Sequence, residues 1–274
     1  MVDLSPFRHA AFVGLAVTAS LAFLTWLASL ARHDVSLVDR VWGVFIAGAG
    51  VAYAVDLHAG DARSVAMLAL VVAWALRLAV HISSRNWGHG EDRRYREIRA
   101  RNQPNFALKS LYLVFALQAV LAWWVSAPLL AAFVASAASG GARPFGALDA
   151  AGFALAAFGI AFEAVADAQL ARFKADPANR GRVMDRGAWR ATRHPNYFGE
   201  CCVWWGLWLM ALGAGGLGAA WSVISPALMT FLLLKVSGVG LLEKDIAERR
   251  PAYRDYIERT SAFVPWWPRR GSAS

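Results

Sequence analysis

The sequence predicts an all-α fold, a polytopic membrane protein built as a bundle of about seven transmembrane helices. Apolar residues make up 58% of the chain and 13 residues are tryptophan, which exceeds the usage of ordinary soluble domains. Long apolar runs recur, each close to the ~20 residues that one helix needs to cross a bilayer. Strand-like alternation is absent, and lipid leaves backbone groups without partners outside helices and closed barrels.

Seven apolar runs are interpreted as the membrane helices, at about 10–31, 38–56, 64–83, 109–135, 148–171, 197–213 and 219–240. The first run is too long for a cleavable signal peptide and lacks a clear cleavage site, so we expect it to remain as a helix. The loops and the tail are too short for an independent core. We therefore expect one membrane domain over residues 1–274.

The positive charge is distributed unequally between the two ends of these helices. Most of the 28 Lys and Arg residues fall in the loops after the third and fifth runs and in the tail after the seventh, and only Arg8, Arg63 and Arg143 fall on the other side. The positive-inside rule then predicts an outside N-terminus and a cytoplasmic C-terminus. Because these basic loops flank membrane spans, they indicate lipid rather than nucleic acid as a partner.

Charged and polar side chains inside the apolar runs are the candidate functional residues, since such groups are costly in lipid and usually bind or react. Spacings of three, four, seven or eight residues place those on the same helix on one face of it. All lie towards the cytoplasmic ends, so we expect them to converge on one polar cavity; interhelical pairing is the alternative. They are Asp39, Trp74, Arg77, His81, Arg85, Glu163, Asp167, Lys174, Asn196, Glu200, Lys235 and Glu243.

The densest polar segment is Arg193-His194-Pro195-Asn196-Tyr197-Phe198-Gly199-Glu200, which opens the sixth apolar run. It is preceded by three arginines, Arg182, Arg186 and Arg190. Guanidinium groups suit phosphates because they form bidentate hydrogen bonds with them. The segment therefore favours a phosphorylated cytosolic cofactor.

Two other patterns do not indicate a site. Cys201 and Cys202 are adjacent, so they cannot form an unstrained disulfide, and they lack the spacing of zinc ligands. The residues 213–218 match GxGxxG, but no strand precedes them as dinucleotide binding of that kind requires. We expect no metal.

The segment GAWRATRHPNYFGECCVWWGLWL (187–209) resembles the C-terminal signature of the steroid 5-alpha-reductase family, and specifically a bacterial branch of it. Further agreement lies in VSLVDRVWG (35–43), WALRLAVHISSR (74–85), GHGEDRRYREIR (88–99) and RRPAYRDYIERTSAFVPWWP (249–268). The RHPxY part alone is also shared by isoprenylcysteine and phospholipid methyltransferases.

The resemblance implies an NADPH-dependent membrane reductase, with a substrate half over about 1–110 and a cofactor half over about 111–274. Asn196 and Glu200 match the residues that hold the nicotinamide end, and Arg182 matches a phosphate-binding arginine. The full set of expected cofactor residues is Arg77, Arg85, Glu163, Asp167, Lys174, Arg182, Arg193, His194, Asn196, Tyr197, Glu200, Lys235 and Glu243.

The expected catalytic residues are Asp39, Trp74 and His81. Asp39 lies near the position of the family's substrate-binding glutamate, and burial would keep it protonated; a role at the positive end of its helix is the alternative. Trp74 stands where the family has a tyrosine and has no acidic proton. Either His81 or a tyrosine then works with Asp39, or the substrate is not a steroid enone.

Three functions remain open from the sequence. The first is an NADPH-dependent reductase of a lipophilic α,β-unsaturated ketone. The second is an S-adenosylmethionine-dependent membrane methyltransferase, and the third is a scaffold or lipid-binding protein whose polar stripes only pair with one another. The Ala-, Arg- and Gly-rich composition favours a bacterial inner membrane.

Overall fold

The structure is a computed structural model that describes residues 4–88, 90–141, 143–236 and 253–267. In these ranges every regular element is a helix, which confirms the all-α prediction. Six helical stretches are long and apolar enough to cross a membrane, so the chain is a multi-pass membrane protein. They are Ser5–Arg32 (α1), Leu37–Asp56 (α2), Ala62–Arg85 (α3), Phe106–Val125 (α5), Ala147–Ala175 (α7) and Pro195–Val236, which begins with α8 (Pro195–Gly215).

Local sequence signals set the ends of the early helices. Pro6 lies in the first turn of α1, where a missing N–H costs nothing. The helix stops at His33, whose backbone is left-handed at φ 51°. The side chain of Asp61 caps α3 by accepting hydrogen bonds from the backbone N–H groups of Arg63 and Ser64 at 3.1 and 3.3 Å.

The predicted single span over 109–135 is wrong in its bounds. The helix α5 ends at Val125, and a shorter helix, Ala127–Ala138 (α6), follows it after Ser126. Pro128 lies in the first turn of α6, where proline is tolerated because that turn needs no N–H partner. A surface helix that the sequence did not predict, Arg93–Arg101 (α4), lies between α3 and α5.

The predicted spans 197–213 and 219–240 belong to one helical stretch with a turn in it. After α8 comes a 3-10 segment, Gly216–Val223, and then Ile224–Phe231 (α9). Gly216 has φ +57°, which a right-handed helix cannot contain. Because Trp208 Nε1 lies 3.4 Å from the carbonyl oxygen of Ala220, the chain reverses direction here. The count of about seven spans and the orientation stay predictions.

Two compact units make up the chain. The first comprises residues 1–153 and 207–225, and the second comprises 154–206 and 226–274. In the first unit, α2 packs on α1 and α3. Tyr53 is fully buried there, and its hydroxyl lies 2.9 Å from the hydroxyl of Ser126. Gly14 makes room for the Tyr53 ring, because any Cβ at that position would overlap it.

A buried ion pair lies just beyond the connection between α2 and α3. Arg63 contacts both carboxylate oxygens of Asp149, at 2.6 and 2.9 Å, and the two side chains are 3% and 2% exposed. Arg63 also donates to the carbonyl oxygen of Pro144, and Gly146 N–H donates to Asp149. Such a pair adds little net stability but is costly to break. It fixes the loop before α7 against the start of α3.

Candidate functional site

The second unit is organised by a close crossing of α7 and α8. A Cβ added to Gly159 on α7 would lie 2.5 Å from the carbonyl oxygen of Gly199 and 2.8 Å from the amide nitrogen of Val203. A Cβ added to Gly199 would lie 2.8 Å from the carbonyl oxygen of Gly159. Only glycine permits this approach, which is how small residues bring membrane helices together. The crossing therefore sets the distance between every polar side chain on these two helices.

Buried carboxylates follow the crossing at helical spacing. Glu163 lies one turn beyond Gly159, with its Cγ directly beside Gly199, and it is 1% exposed. Asp167 lies one turn further, and its carboxylate accepts a hydrogen bond of 3.2 Å from the side-chain amide of Asn196. Glu200, beside Gly199 in the chain, is 8% exposed. The two helices thus bring together the acidic and amide residues that the sequence singled out.

The connection between α7 and α8 is tied back onto α7. Gly187 has φ +58°, and a side chain there would overlap the amide of Gln169. The same Gln169 amide accepts a hydrogen bond of 2.9 Å from the backbone N–H of Ala188. Trp189 is buried and donates from Nε1 to the carbonyl oxygen of Ala166 at 2.9 Å. These contacts fix the position at which the chain enters α8.

The C-terminal segment clasps the same connection. Its helix, Tyr253–Arg259 (α10), buries Tyr256, and the hydroxyl of Tyr256 donates to the carbonyl oxygen of Trp189. Beyond α10 the chain runs beside residues 191–193. The hydrogen bonds there join Arg193 N to Ser261 O at 2.9 Å, Thr192 Oγ1 to Phe263 O at 2.8 Å, and Trp266 N to Ala191 O at 2.9 Å.

Arg193 and His194 are buried in this clasp. The guanidinium of Arg193 donates to the carbonyl oxygens of Ile257 and Thr260, which are among the acceptors that the end of α10 leaves without helical partners. A cation is also favoured at the C-terminal end of a helix. The His194 ring stacks on the Tyr197 ring, with centroids 5.5 Å apart. Arg193 therefore helps to hold α10 in place.

A basic surface belongs to the same unit. The exposed cations around the α7–α8 connection are Arg172, Lys174, Arg180, Arg182, Arg186 and Arg190. One acidic residue of this stretch, Asp185, pairs with Arg259 at 2.8 Å. The unit thus combines buried carboxylates and an amide on its crossing helices with exposed cations on its loop. That arrangement suits a ligand with a polar uncharged or cationic head and an anionic tail.

In the first unit, Asp39 lies in the first turn of α2 and accepts two strong hydrogen bonds. The Tyr95 hydroxyl donates to Oδ1 at 2.7 Å, and Arg94 donates from Nη2 to Oδ2 at 2.7 Å. Tyr95 and Arg94 both come from α4. In this arrangement Asp39 is an acceptor, and the proton belongs to Tyr95. The role of Asp39 as an acid stays a prediction, and Tyr95 is a residue that sequence reasoning did not assign.

The environment keeps Tyr95 protonated and Arg94 charged. Burial, followed by the nearby Asp39 carboxylate, raises the pKa of Tyr95 well above its usual value. Burial alone would lower the pKa of Arg94, but the nearby Asp39, Tyr95 and Asp92 together more than offset it, so the pKa of Arg94 is raised. The signal for Tyr95 in the sequence was a single phenol within the highly charged stretch RRYREIR.

A second salt bridge connects α4 to a residue just before it in the chain. Glu91 contacts the guanidinium of Arg99 through both oxygens, at 2.9 and 2.8 Å, and accepts from the Val35 N–H at 2.9 Å. Val35 lies in the turn before α2. The contact therefore links α4 to the α2 entrance that carries Asp39.

The other candidates on α3 have mixed surroundings. Trp74 is fully buried and packs edge-on against Trp42, with ring centroids 6.4 Å apart. Arg77 and His81 are half-buried, and Arg85 is exposed and donates to the side chain of Asn86 at 3.1 Å. Lys235 is exposed on the stretch that follows α9, and Glu243 lies outside the described residues. The convergence of all these residues on one cavity stays a prediction.

Comparison with known proteins places the chain in a family. A family model described as a protein of unknown function, DUF1295, matches residues 25–260. The chain belongs to the DUF1295 family. A curated protein, the uncharacterized protein C594.04c of Schizosaccharomyces pombe (strain 972 / ATCC 24843), is 24% identical over 277 residues, covering 92% of this chain and 79% of that protein. No solved structure matches.

The DUF1295 match covers both acid clusters. It contains the α7–α8 crossing, α10 and the Asp39–Tyr95 contact, and it begins within α1. The candidate site therefore lies wholly within the part of the chain that defines the family.

The close crossing predicts that Gly159→Ala is destabilising. The added methyl group has backbone atoms at 2.5 and 2.8 Å, so the helices must separate, at a cost of about 1–3 kcal/mol. Thermal unfolding in detergent measures this. Gly60→Ala is the control, because a Cβ at Gly60 has nothing within 4 Å. Equal melting temperatures for the two variants would refute the close crossing.

The Glu91–Arg99 contact predicts a pH-dependent contribution to stability. Burial alone would raise the pKa of Glu91. The hydrogen bonds from Arg99 and Val35, together with the positive charge nearby, have the larger combined effect, so the pKa lies below its ordinary 4.5. A depressed carboxyl pKa stabilises the fold fully above the unfolded value and loses that effect as pH falls through the folded value. We expect Glu91→Gln to cost about 1–2 kcal/mol at pH 7 and progressively less below about pH 4.5. A difference independent of pH would contradict this linkage.

Proposed function

We propose that the chain is a membrane-embedded, NADPH-dependent reductase of the carbon–carbon double bond of a lipophilic α,β-unsaturated ketone. The substrate class proposed is 3-oxo-Δ4-steroid-like, as the resemblance to the steroid 5-alpha-reductase family implies. The single observation that carries the proposal is the composition of the second unit, where buried carboxylates and Asn196 lie on crossing helices behind an exposed basic loop.

The donor set fits NADPH at both ends. The Asn196 amide offers both a donor and an acceptor, as a carboxamide partner requires. Exposed arginines such as Arg182 and Arg186 match the ligand's phosphates, since guanidinium groups bind phosphate in two-pronged fashion. Glu163 and Glu200 favour a head group that carries N–H donors or positive charge. When bound, NADPH supplies the hydride, while the protein supplies position and electrostatics.

The reaction also needs a proton-bearing group for the substrate carbonyl, and we propose Tyr95 for that role. We assign the Asp39 carboxylate the task of orienting that hydroxyl, as its 2.7 Å contact allows. A neutral phenol next to an emerging enolate oxygen stabilises it through a hydrogen bond. This assignment provides the tyrosine that the sequence did not show at Trp74.

The competing function is an S-adenosylmethionine-dependent membrane methyltransferase. The three buried carboxylates Glu163, Asp167 and Glu200 favour it, because they suit a ligand whose sulfonium and ammonium groups are both cationic. The six exposed cations between residues 172 and 190, at the end of α7 and in the connection after it, favour the reductase, because S-adenosylmethionine carries no phosphate. For location, we propose the bacterial inner membrane, with the basic loops on the cytoplasmic side as the positive-inside rule predicts.

Ligand binding separates the two functions. We expect the purified protein in detergent to bind NADPH, and Asn196→Ala to weaken that binding about tenfold or more, as for the loss of a hydrogen bond to a buried polar group. Glu200→Gln, which keeps the shape of the side chain, tests the acidic group in the same way. Equilibrium dialysis with NADPH and S-adenosylmethionine measures both.

Asn102→Ala is the matched control, since Asn102 lies at the end of α4 and its side-chain amide donates locally, to the Ile98 carbonyl. Binding of S-adenosylmethionine without NADPH would overturn the reductase in favour of the methyltransferase. Binding of neither ligand would leave the scaffold function.

Turnover tests the assignment of Tyr95. With a panel of lipophilic enones, we expect NADPH oxidation by the wild type and a fall of about a hundredfold or more in kcat for Tyr95→Phe, the scale of general acid catalysis. NADPH binding should not change in that variant. Asp39→Asn should lower kcat less, because it acts through Tyr95. Full activity of Tyr95→Phe would remove the tyrosine from the reaction.

A further inference from the structure

An apolar cavity of about 740 Å³ opens at the far end of the first unit from Asp39. Leu57, which lines it, lies directly after α2, whereas Asp39 lies in the first turn of α2. At 1.5 Å per residue, the helix separates the two by about 27 Å. The cavity is therefore a separate site from the Asp39–Tyr95 cluster, and its function does not depend on the proposed reaction.

Small residues and two aromatic rings shape this cavity. Alanines of α6, including Ala138, and glycines of the 215–218 turn form much of its lining. Phe7 and Trp221 also line it and contact each other edge-on, with centroids 5.5 Å apart. At Gly218 an added Cβ would meet nothing within 4 Å. The lining is thus preformed by packed rings and leaves open, apolar space beside Gly218.

A cation stands at the edge of the cavity. Arg143 is exposed, and its Nη1 donates to the carbonyl oxygen of Ala214 at 2.9 Å. The same nitrogen lies 3.9 Å from the place where a Cβ on Gly216 would be, next to the lining residue Gly215. A guanidinium has five N–H donors, and Arg143 uses one of them within the described residues. The others remain available for an anion at the mouth of the cavity.

We propose that this cavity binds one phospholipid, with an acyl chain against the Phe7–Trp221 wall and its phosphate on Arg143. Three observations combine here: the apolar lining, the adjacent cation, and the position at the end of membrane-spanning helices, where the headgroups of a bilayer lie. The volume falls in the range of specific ligand pockets. An arginine beside an apolar cavity matches the two parts of a phospholipid, an anion joined to a hydrocarbon chain.

Native mass spectrometry of the full chain with added phosphatidylglycerol tests the proposal. We expect one phospholipid to survive detergent washing on the wild type and to be lost in Gly218→Leu, which fills the open space. Gly60→Leu is the control, because an added Cβ there also meets nothing within 4 Å and Gly60 is not part of the lining. Ala138→Leu, at a lining residue of α6, is the second variant should Gly218→Leu fail to fold.

The cation is tested by Arg143→Gln, which we expect to weaken phosphatidylglycerol binding about tenfold, as for loss of a charge-assisted hydrogen bond. Arg32→Gln, an exposed arginine at the end of α1, should leave it unchanged. Retention of the lipid in both cavity-filling variants would overturn the proposal. So would conversion of a dimer to a monomer by Gly218→Leu, which would make a second copy of the chain the occupant. Equal binding by Arg143→Gln and Arg32→Gln would overturn the phosphate contact.

Discussion

The second unit depends on the backbone contact between Gly159 and Gly199. With no side chain at either position, α7 and α8 approach until carbonyl oxygens meet the space where a Cβ would be. Every buried polar group of the site lies within about two turns of that contact, so its position follows from the crossing. Without a hydrophobic driving force between helices in lipid, such close packing is a main source of association. The glycine contact that holds α7 and α8 together therefore also sets the positions of the buried polar side chains.

The polar motif at 193–200 divides into two parts with different tasks. Its first residues, with Thr192 before them, hold the C-terminal segment through the Arg193 and Thr192 hydrogen bonds to α10 and the residues after it. Its later residues, Asn196 and Glu200, lie on α8 itself beside the acids of α7. The first part of this motif is thus a structural attachment for the C-terminal segment, and the second part is the binding surface that the proposed function requires. Substituting members of each part should separate the two.

Much of the helix content could be predicted from the sequence, because hydrophobic length is a direct physical requirement of a bilayer. The break at Ser126 was missed because both sides of it are equally apolar, and hydropathy contains no information on a kink. Helical spacing and the motif singled out Asp167 and Asn196 as candidates, but the hydrogen bond between them comes from the structure and was not predicted. Tyr95 was not assigned, because its importance comes from α4 folding onto Asp39, a contact between residues 56 positions apart. Arg193 looked like a phosphate ligand because its carbonyl partners on α10 are not visible in a sequence.

The proposed reductase requires the α7–α8 site and its basic loop to hold NADPH. Hydrogen–deuterium exchange of the protein in detergent, with and without NADPH, locates the ligand directly, because exposed loop amides exchange until a ligand covers them. We expect slower exchange for the amides of 176–194 with NADPH, and no change with S-adenosylmethionine. Protection of that loop by S-adenosylmethionine alone, or unchanged exchange there at saturating NADPH, would contradict it.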